Sequence, residues 1–153
     1  MAASGIRINW NGFLDTLNRA SSGLTDTQGL MAEIGKAMKG QTIRRFQAGV
    51  DPEGNAWTPV KNPRRDSRGR RRSGRASPLV DTGRLRNSIS FSATPFEVYV
   101  GSNLVYARIH QLGGQAGRGR QVTIPARPYL GLSEEDIEEI KSIVQDFYEG
   151  NFE

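Results

Sequence analysis

Few residues of this 153-residue chain could carry out chemistry. A catalytic triad needs a histidine beside an activated Ser or Cys, but the single histidine, His110, lies in no Ser or Asp motif, and the chain has no cysteine. His110 and the scattered carboxylates also do not match the ligand spacing of a zinc site. We therefore expect a packing or hydrogen-bonding role for His110, no bound metal or cofactor, and no enzymatic activity.

One stretch, residues 113–121, is rich in glycine and arginine and invites comparison with a phosphate-binding loop. It lacks a Walker lysine followed by Ser or Thr, and it does not match the dinucleotide fingerprint. We interpret it as a flexible basic loop in which Arg118 and Arg120 are available for contact with DNA or with a partner protein.

The strongest charged feature lies between positions 61 and 75. Eight of the 21 Lys and Arg residues fall in these fifteen positions, against one acidic residue, Asp66. The eight are Lys61, Arg64, Arg65, Arg68, Arg70, Arg71, Arg72 and Arg75. Without this segment 13 basic and 15 acidic residues remain, so the net charge of +5 becomes about −2. Residues 61–77 have no apolar side chain larger than Ala76, which predicts a flexible Arg-rich loop.

Two kinds of partner suit the Arg-rich loop: DNA phosphates, or an acidic surface on a neighbouring protein. The alternative is a solvated loop that only keeps subunits apart by like-charge repulsion before assembly. Residues 61–75 contain no aromatic side chain, which argues against stacking on the bases of a single strand. Any contact with DNA is therefore expected to be independent of base sequence.

The elements that must position these residues follow from hydrophobic periodicity. Within residues 87–101, apolar and polar residues alternate on both sides of a break at Thr94 and Pro95, which predicts an antiparallel hairpin with one apolar face. The same alternation over residues 5–10 predicts a further strand of that sheet. Since a two-stranded ribbon is marginal in water, helices must cover the apolar face.

Two longer helices are available for this. Thr25 or Thr27 can cap a helix whose apolar stripe runs to Phe46. Ser133 and Asp136 resemble a capping box that opens a C-terminal helix. The apolar stripe of that helix is Ile137, Ile140, Val144 and Phe147. We expect the C-terminal helix to be the lid of the hairpin.

A shorter helix is predicted between the hairpin and the glycine-rich stretch. Val105, Ile109 and Leu112 have the spacing i, i+4 and i+7, and two glycines follow. The same helix would carry Tyr106 and His110 on a neighbouring face. We expect it to end at the glycines.

Turns and brief elements connect the rest. Residues 51–55 have the composition of a tight turn, and Trp57 just after them is interpreted as an anchor that pins the chain to the core. Residues 122–124 predict a brief strand, and the prolines make residues 125–128 extended and rigid. A short helix is predicted over residues 11–19.

Composition sets the class of protein. The chain is 36% apolar with a mean hydropathy of −0.55, and no apolar run approaches the roughly 18–20 residues that span a bilayer. We expect a single soluble domain over residues 1–153, located in the cytoplasm, with no membrane contact. Its predicted fold class is α+β, a small antiparallel sheet packed by a long helix from the N-terminal half and by the C-terminal helix, with long basic loops.

Six short motifs occur in a recognisable order. They are Phe46; Asp51, Pro52, Gly54 and Trp57; Leu79, Thr82, Gly83, Leu85, Ser88 and Ile89; Val100, Gly101 and Ser102; Tyr106, Ala107, Ile109, His110, Gln111, Gly113 and Gly114; and the run from Ile124 through Pro125, Ala126, Arg127, Pro128, Tyr129 and Leu130 to Gly131. This order resembles the phage virion morphogenesis family, which includes the tail completion proteins of Mu-like and P2-like tailed phages. The resemblance covers roughly residues 30–148.

The resemblance implies a structural protein of the head-to-tail junction, assembled in the host cytoplasm and carried in the virion. Similar proteins act as rings of identical subunits around the DNA channel. Implied partners are further copies of the chain, other neck proteins such as a portal-side connector and a tail terminator, and channel DNA through its phosphates. The motifs imply structural roles and name no catalytic group. A sequence-independent double-stranded DNA-binding protein acting through the Arg-rich loop is the alternative.

Overall fold

The computed structural model of the protein describes residues 4–9, 27–61 and 78–151. These ranges contain four α-helices and five strands, which confirms the predicted α+β fold. In chain order they are β1 (Ser4–Asn9), α1 (Thr27–Ala48), α2 (Arg84–Asn87), β2 (Ser90–Ala93), β3 (Glu97–Ser102), α3 (Ala107–Leu112), β4 (Gly114–Ala116), β5 (Val122–Ile124) and α4 (Glu134–Asn151). A 3-10 turn over Arg118–Arg120 joins β4 to β5.

The larger sheet has three antiparallel strands in the order β1-β3-β2. It confirms both the predicted hairpin and the predicted strand near the N-terminus. Thr94 closes the hairpin, because its Oγ1 accepts hydrogen bonds from the backbone N–H groups of Phe96 and Glu97 at 3.3 and 3.2 Å. Alternation along β3 buries Val98 and Val100 in the core.

Helix α1 covers this sheet by packing against β2 and β3. The approach is close at Gly35, where a Cβ would collide with the ring of Phe91. The predicted lid was wrong, since the C-terminal helix α4 packs mainly on α1. Helix α1 packs against the sheet on one side and against α4 on another. The apolar stripe on α4 indicates that this helix is covered, but it does not specify whether a sheet or a helix covers it.

The start of α4 matches the predicted capping box. The backbone N–H of Ser133 donates to Asp136 Oδ2 at 2.8 Å, and the N–H of Asp136 donates to Ser133 Oγ at 3.1 Å. Ile140 and Val144 are buried as predicted, but Ile137 is 42% exposed. The buried stripe of α4 therefore begins one turn later than its sequence pattern indicates.

The glycine-rich stretch is partly ordered into strands. Residues 114–116 pair with residues 122–124 in a second antiparallel sheet. The predicted strand at 122–124 is therefore confirmed. The interpretation of residues 113–121 as a loop was wrong for residues 114–116, which form β4. Gly117, Gly119 and Arg120 turn the chain with φ of 78°, 69° and 56°. The basic residues thus lie at the tip of a hairpin.

Two sequence predictions fall outside the described residues. They are the short helix over residues 11–19 and, from residue 62 onward, the Arg-rich loop. None of the helices in the described ranges is long and apolar enough to cross a bilayer.

Candidate functional site

Residues from the sequence motifs meet around the extended segment 125–131. We call the residues Arg45, Phe46, Trp57, Gln111 and segment 125–131 together the motif cluster. Its members come from α1, from the stretch after the 51–55 turn, from α3 and from the link between β5 and α4. The cluster is held mainly by side chains that bond to the backbone of another segment.

Trp57 is the predicted anchor, and the structure confirms it. Its side chain is buried, and Nε1–H donates to the carbonyl of Pro128 at 2.8 Å. The Phe46 ring lies between Trp57 and Tyr129, with centroid distances of 5.6 and 5.1 Å. An edge-on aromatic contact and one directed hydrogen bond therefore fix the chain leaving the turn to the core.

The turn before Trp57 is built by Asp51. Its Oδ1 accepts hydrogen bonds from the backbone N–H groups of Glu53 and Asn55, both at 2.9 Å. Burial raises the pKa of Asp51, but hydrogen bonds from Asn55, Glu53 and Gly54 outweigh burial and hold the pKa below its usual value. The Pro52 ring packs against Gly131, where a Cβ would collide with it. The turn is thus docked on the motif cluster.

Arg127 joins three segments. Its Nε–H donates to the carbonyl of Thr58 at 2.8 Å, an Nη2–H donates to the carbonyl of Pro59 at 3.3 Å, and its backbone N–H donates to the carbonyl of His110 at 2.8 Å. Burial lowers the pKa of Arg127, yet an arginine retains its charge at neutral pH. A buried guanidinium in this position is a structural tie and is not presented to a ligand.

Gln111 is part of the motif that runs from Tyr106 to Gly114, but the sequence predicted no site role for it. Its Oε1 accepts from the backbone N–H groups of Tyr129 and Leu130, both at 3.0 Å, and its Nε2–H donates to the Leu130 carbonyl at 2.9 Å. The Tyr129 hydroxyl donates to the carbonyl of Ala107 at 3.1 Å. Nothing in the hydrophobic pattern marks Gln111, because its role depends on a segment eighteen or nineteen positions away.

A buried ion pair was also missed from the sequence. Arg45 of α1 pairs with Asp136 of α4, and their side chains are only 9% and 1% exposed. An Nη1–H of Arg45 also donates to the carbonyl of Gly131 at 2.9 Å. The capping box was the only sequence signal at Asp136, and it gave no hint of a partner on α1.

His110 and Tyr106 lie together, as predicted. Their rings meet edge to face at a centroid distance of 5.9 Å. Burial and the positive charge of Arg127 lower the pKa of His110, so the imidazole is neutral at pH 7. Gly113, with φ of 73°, ends α3 where a Cβ would lie 2.8 Å from the backbone nitrogen of Ala126. Within the described ranges, no three side chains form a potential metal site.

Two further motif residues, Thr82 and Gly83, lie before the hairpin. Thr82 Oγ1 accepts a hydrogen bond from the backbone N–H of Arg84 at 3.3 Å, and Gly83 has φ of 73° just before α2. These two residues form the turn that leads into α2.

The predicted contact residues are only partly described. Arg118 and Arg120 are exposed at the tip of the β4–β5 hairpin. Lys61 is also exposed, and it lies two residues after Pro59, whose carbonyl accepts a hydrogen bond from Arg127. The other seven, Arg64, Arg65, Arg68, Arg70, Arg71, Arg72 and Arg75, lie outside the described residues.

A cleft of about 750 Å³ opens between α1, the 51–55 turn and the first turn of α4. Four acidic residues line it, namely Asp51, Glu53, Glu134 and Glu135, together with Arg44, Arg45 and apolar side chains that include Leu132. Its charge is opposite to that of the hairpin tip.

Comparison with known proteins places these features in a family. The model of the phage virion morphogenesis family matches residues 8–148. A relative from Haemophilus influenzae named Mu-like prophage FluMu G protein 2 is 38% identical over 133 residues, which are 87% of this chain and 86% of the relative. Tail completion protein S of Escherichia phage P2 is 29% identical over 123 residues, 75% of this chain and 79% of that protein. No solved structure matches. The chain belongs to the phage virion morphogenesis family, as the order of its motifs predicts.

Proposed function

We propose that this protein is a structural component of a tailed phage that completes the tail and joins it to the head. In this role it assembles as a ring of identical subunits around the DNA channel. The family match over residues 8–148 carries the proposal, and the relative named as a tail completion protein supports it.

The motif cluster supports a structural rather than a catalytic role. Trp57, Gln111 and Arg127 all direct their polar groups to backbone atoms of other segments. A catalytic group must instead present a donor, acceptor or nucleophile to a substrate. The motifs therefore keep the fold rigid, and contacts with partners fall to the outer surfaces.

In the proposed ring, basic residues provide the contacts with negatively charged partners. A ring would gather one Arg-rich segment from every subunit. This segment faces channel DNA through its phosphates or an acidic surface of a neighbouring neck protein, such as a portal-side connector or a tail terminator. Each phosphate contact would contribute about −0.9 to the slope of log affinity against log salt.

The test is complementation in the phage that encodes the protein. Without the gene, we expect full heads and separate tails in electron micrographs of the host lysate, and a plasmid copy should restore joined, infectious particles. A matched copy in which residues 61–75 are replaced by a Gly-Ser linker tests the charged segment. Joined particles in the absence of the gene, or a failure to make heads at all, would contradict the proposed role.

A sequence-independent DNA-binding protein is the second candidate, and the concentration of eight basic residues in positions 61–75 favours it. Light-scattering mass and double-stranded DNA binding across a salt series separate the two roles. A free monomer that binds DNA tightly, with a steep salt dependence that the linker replacement abolishes, would support the second candidate. A ring, or a monomer with little DNA affinity, would support the junction role.

A further inference from the structure

Helix α3 presents an apolar stripe to solvent. Its buried side is set by Ala107, which is fully buried, and by Gln111, which bonds to segment 129–130. Leu112 lies on the other side of α3, roughly 140° around the helix axis from Ala107, and is 62% exposed. Val105, in the turn that leads into α3, is 81% exposed. A contiguous area of exposed apolar side chains marks a surface that another protein covers.

The β4–β5 hairpin continues this surface. A Cβ at Gly114 would lie 3.4 Å from Cγ1 of Ile109, so the hairpin face that includes position 114 is turned toward α3. Because side chains alternate along a strand, Ala116 and its cross-strand partner Val122 share that face. Val122 is 55% exposed. The apolar area therefore extends from α3 onto the hairpin.

The same surface is basic. Arg108 is exposed on α3, and Arg118 and Arg120 stand at the hairpin tip. Residues 98–133 contain four arginines and no Asp or Glu. We call Val105, Arg108, Leu112, Arg118, Arg120 and Val122 the basic apolar face.

Helix α4 carries the complementary surface. Leu132 and Ile137 occupy the two positions of a hydrophobic staple around the Ser133 cap, which places them side by side, and they are 40% and 42% exposed. Residues 134–153 contain eight Asp or Glu and one Lys. We call Leu132, Ile137 and the exposed Glu134, Glu135 and Glu138 the acidic apolar face.

We propose that the basic apolar face of one copy docks on the acidic apolar face of the next copy. Charge complementarity selects a second copy as the occupant, because this chain supplies both halves and both remain exposed within one chain. The two halves are different surfaces, so the contact is head-to-tail and propagates into a ring or an open filament. The inference rests on the proposed function only in that both require subunits that assemble with one another.

Two charge-reversed chains test this directly. The first carries Arg108→Glu, Arg118→Glu and Arg120→Glu, so that both faces are acidic. The second carries Glu134→Arg, Glu135→Arg and Glu138→Arg, so that both faces are basic. Each alone should associate at least roughly tenfold more weakly than the native chain, since like charges then oppose each other at every contact. Their equimolar mixture should assemble, because every contact then joins opposite charges.

Sedimentation velocity over a concentration series measures the mass of each sample. The matched control reverses two exposed charges of α1, Glu33→Arg and Lys36→Glu, and should assemble like the native chain. Circular dichroism and the urea midpoint confirm that each variant is folded.

The outcomes are decisive in either direction. Co-assembly of the mixture but not of its components establishes the contact. A native chain that stays monomeric at the highest concentration reached, or a mixture no more associated than its components, overturns it. Complementation of the phage by the native gene is scored separately, so a failure of these faces leaves the tail-completion role standing, and a failure of complementation leaves the mixing result standing.

Discussion

The two sides of α3 reverse the usual distribution of polar and apolar groups. The inner side places a half-buried amide, Gln111, against the backbone of segment 129–130, whereas Leu112 on the outer side and Val105 just before the helix are exposed to water. The inner amide is tolerated because its oxygen and one of its N–H groups bond to the backbone of that segment. The outer residues add little to the stability of one subunit. The comparison separates residues that hold the fold from residues for which we propose contact with another molecule.

The largest effect on stability should come from the buried ion pair between Arg45 and Asp136, in which Arg45 also bonds to Gly131, next to the segment that Gln111 contacts. Arg45→Met leaves Asp136 buried without its partner, which should lower the free energy of unfolding by about 3–5 kcal/mol. Urea denaturation followed by circular dichroism measures it. The control is Arg44→Met, which removes an exposed pair with Glu139 and should cost less than about 1 kcal/mol. Equal costs would show that the buried pair is not a structural tie.

Gln111→Leu should be the next most damaging change. It leaves the N–H groups of Tyr129 and Leu130 and the Leu130 carbonyl without their partner, at a cost of about 1–3 kcal/mol in the free energy of unfolding. The same denaturation experiment measures it, with exposed Gln115→Leu as control. An unchanged free energy of unfolding would mean that water replaces the hydrogen bonds of the amide and that this side of α3 is open to solvent.

Trp57→Phe removes the indole N–H from the motif cluster together with part of a buried ring system. The ring contact with Phe46 is retained, but the Pro128 carbonyl loses its donor at 2.8 Å. We expect a loss of about 1–2 kcal/mol in unfolding free energy, measured by the urea midpoint. The exposed Val60→Ala is the control. A variant as stable as the native chain would reduce Trp57 to a packing residue.

The effect of pH on stability should report His110, the single histidine of the chain. Burial and Arg127 hold the pKa of His110 below its ordinary value of 6.5 in the folded state. Below about pH 6.5 the unfolded chain therefore binds a proton that the folded chain resists, so stability is full above this pH and is lost as the pH falls toward the lower folded pKa. Unfolding free energies from pH 8 to pH 5 measure this. The control is His110→Gln, whose side chain does not titrate in this range. If the imidazole is freely solvated, the two chains should show the same change of unfolding free energy with pH.

The smallest effect on stability is expected on the outer side of α3. Val105→Ser with Leu112→Ser should change the free energy of unfolding by no more than about 0.5 kcal/mol, since both side chains are already exposed. Self-association should nevertheless weaken by roughly tenfold, as sedimentation would show. A large loss of stability with unchanged association would reverse the roles assigned to the two sides.

Local patterns in the sequence predicted the elements that depend on neighbouring residues. Alternation around Thr94 predicted the hairpin, and the spacing of Ser133 and Asp136 predicted the start of α4, because both signals arise within a few positions. Trp57 was predicted as an anchor from its place after a turn. The three-residue strand β4 was not predicted, since it is too short and too rich in glycine to show alternation.

Contacts between distant segments were the part that local patterns could not give. The pairing of Arg45 with Asp136, 91 positions apart, and the choice of α1 rather than α4 as the lid both depend on how finished elements pack. Arg127 was selected only through the family motif, because no periodicity distinguishes a buried arginine from a solvated one. The exposed apolar residues at α3 show the same limit of local patterns. Their helical spacing predicts a surface that is covered, but it does not predict whether the same chain or another chain covers it.

The central position of β3 also sets an order of events in time. Ser4 of β1 pairs with Ser102, the last residue of β3, so β1 has no partner in this sheet until β3 has been synthesised. Strands β2 and β3 are joined by a short turn and can form a hairpin at once, whereas β1 must close a loop of more than eighty residues, between Asn9 and Glu97. The sheet is therefore completed by β1, which is synthesised before its partner β3 and is the last of the three strands to be held in place.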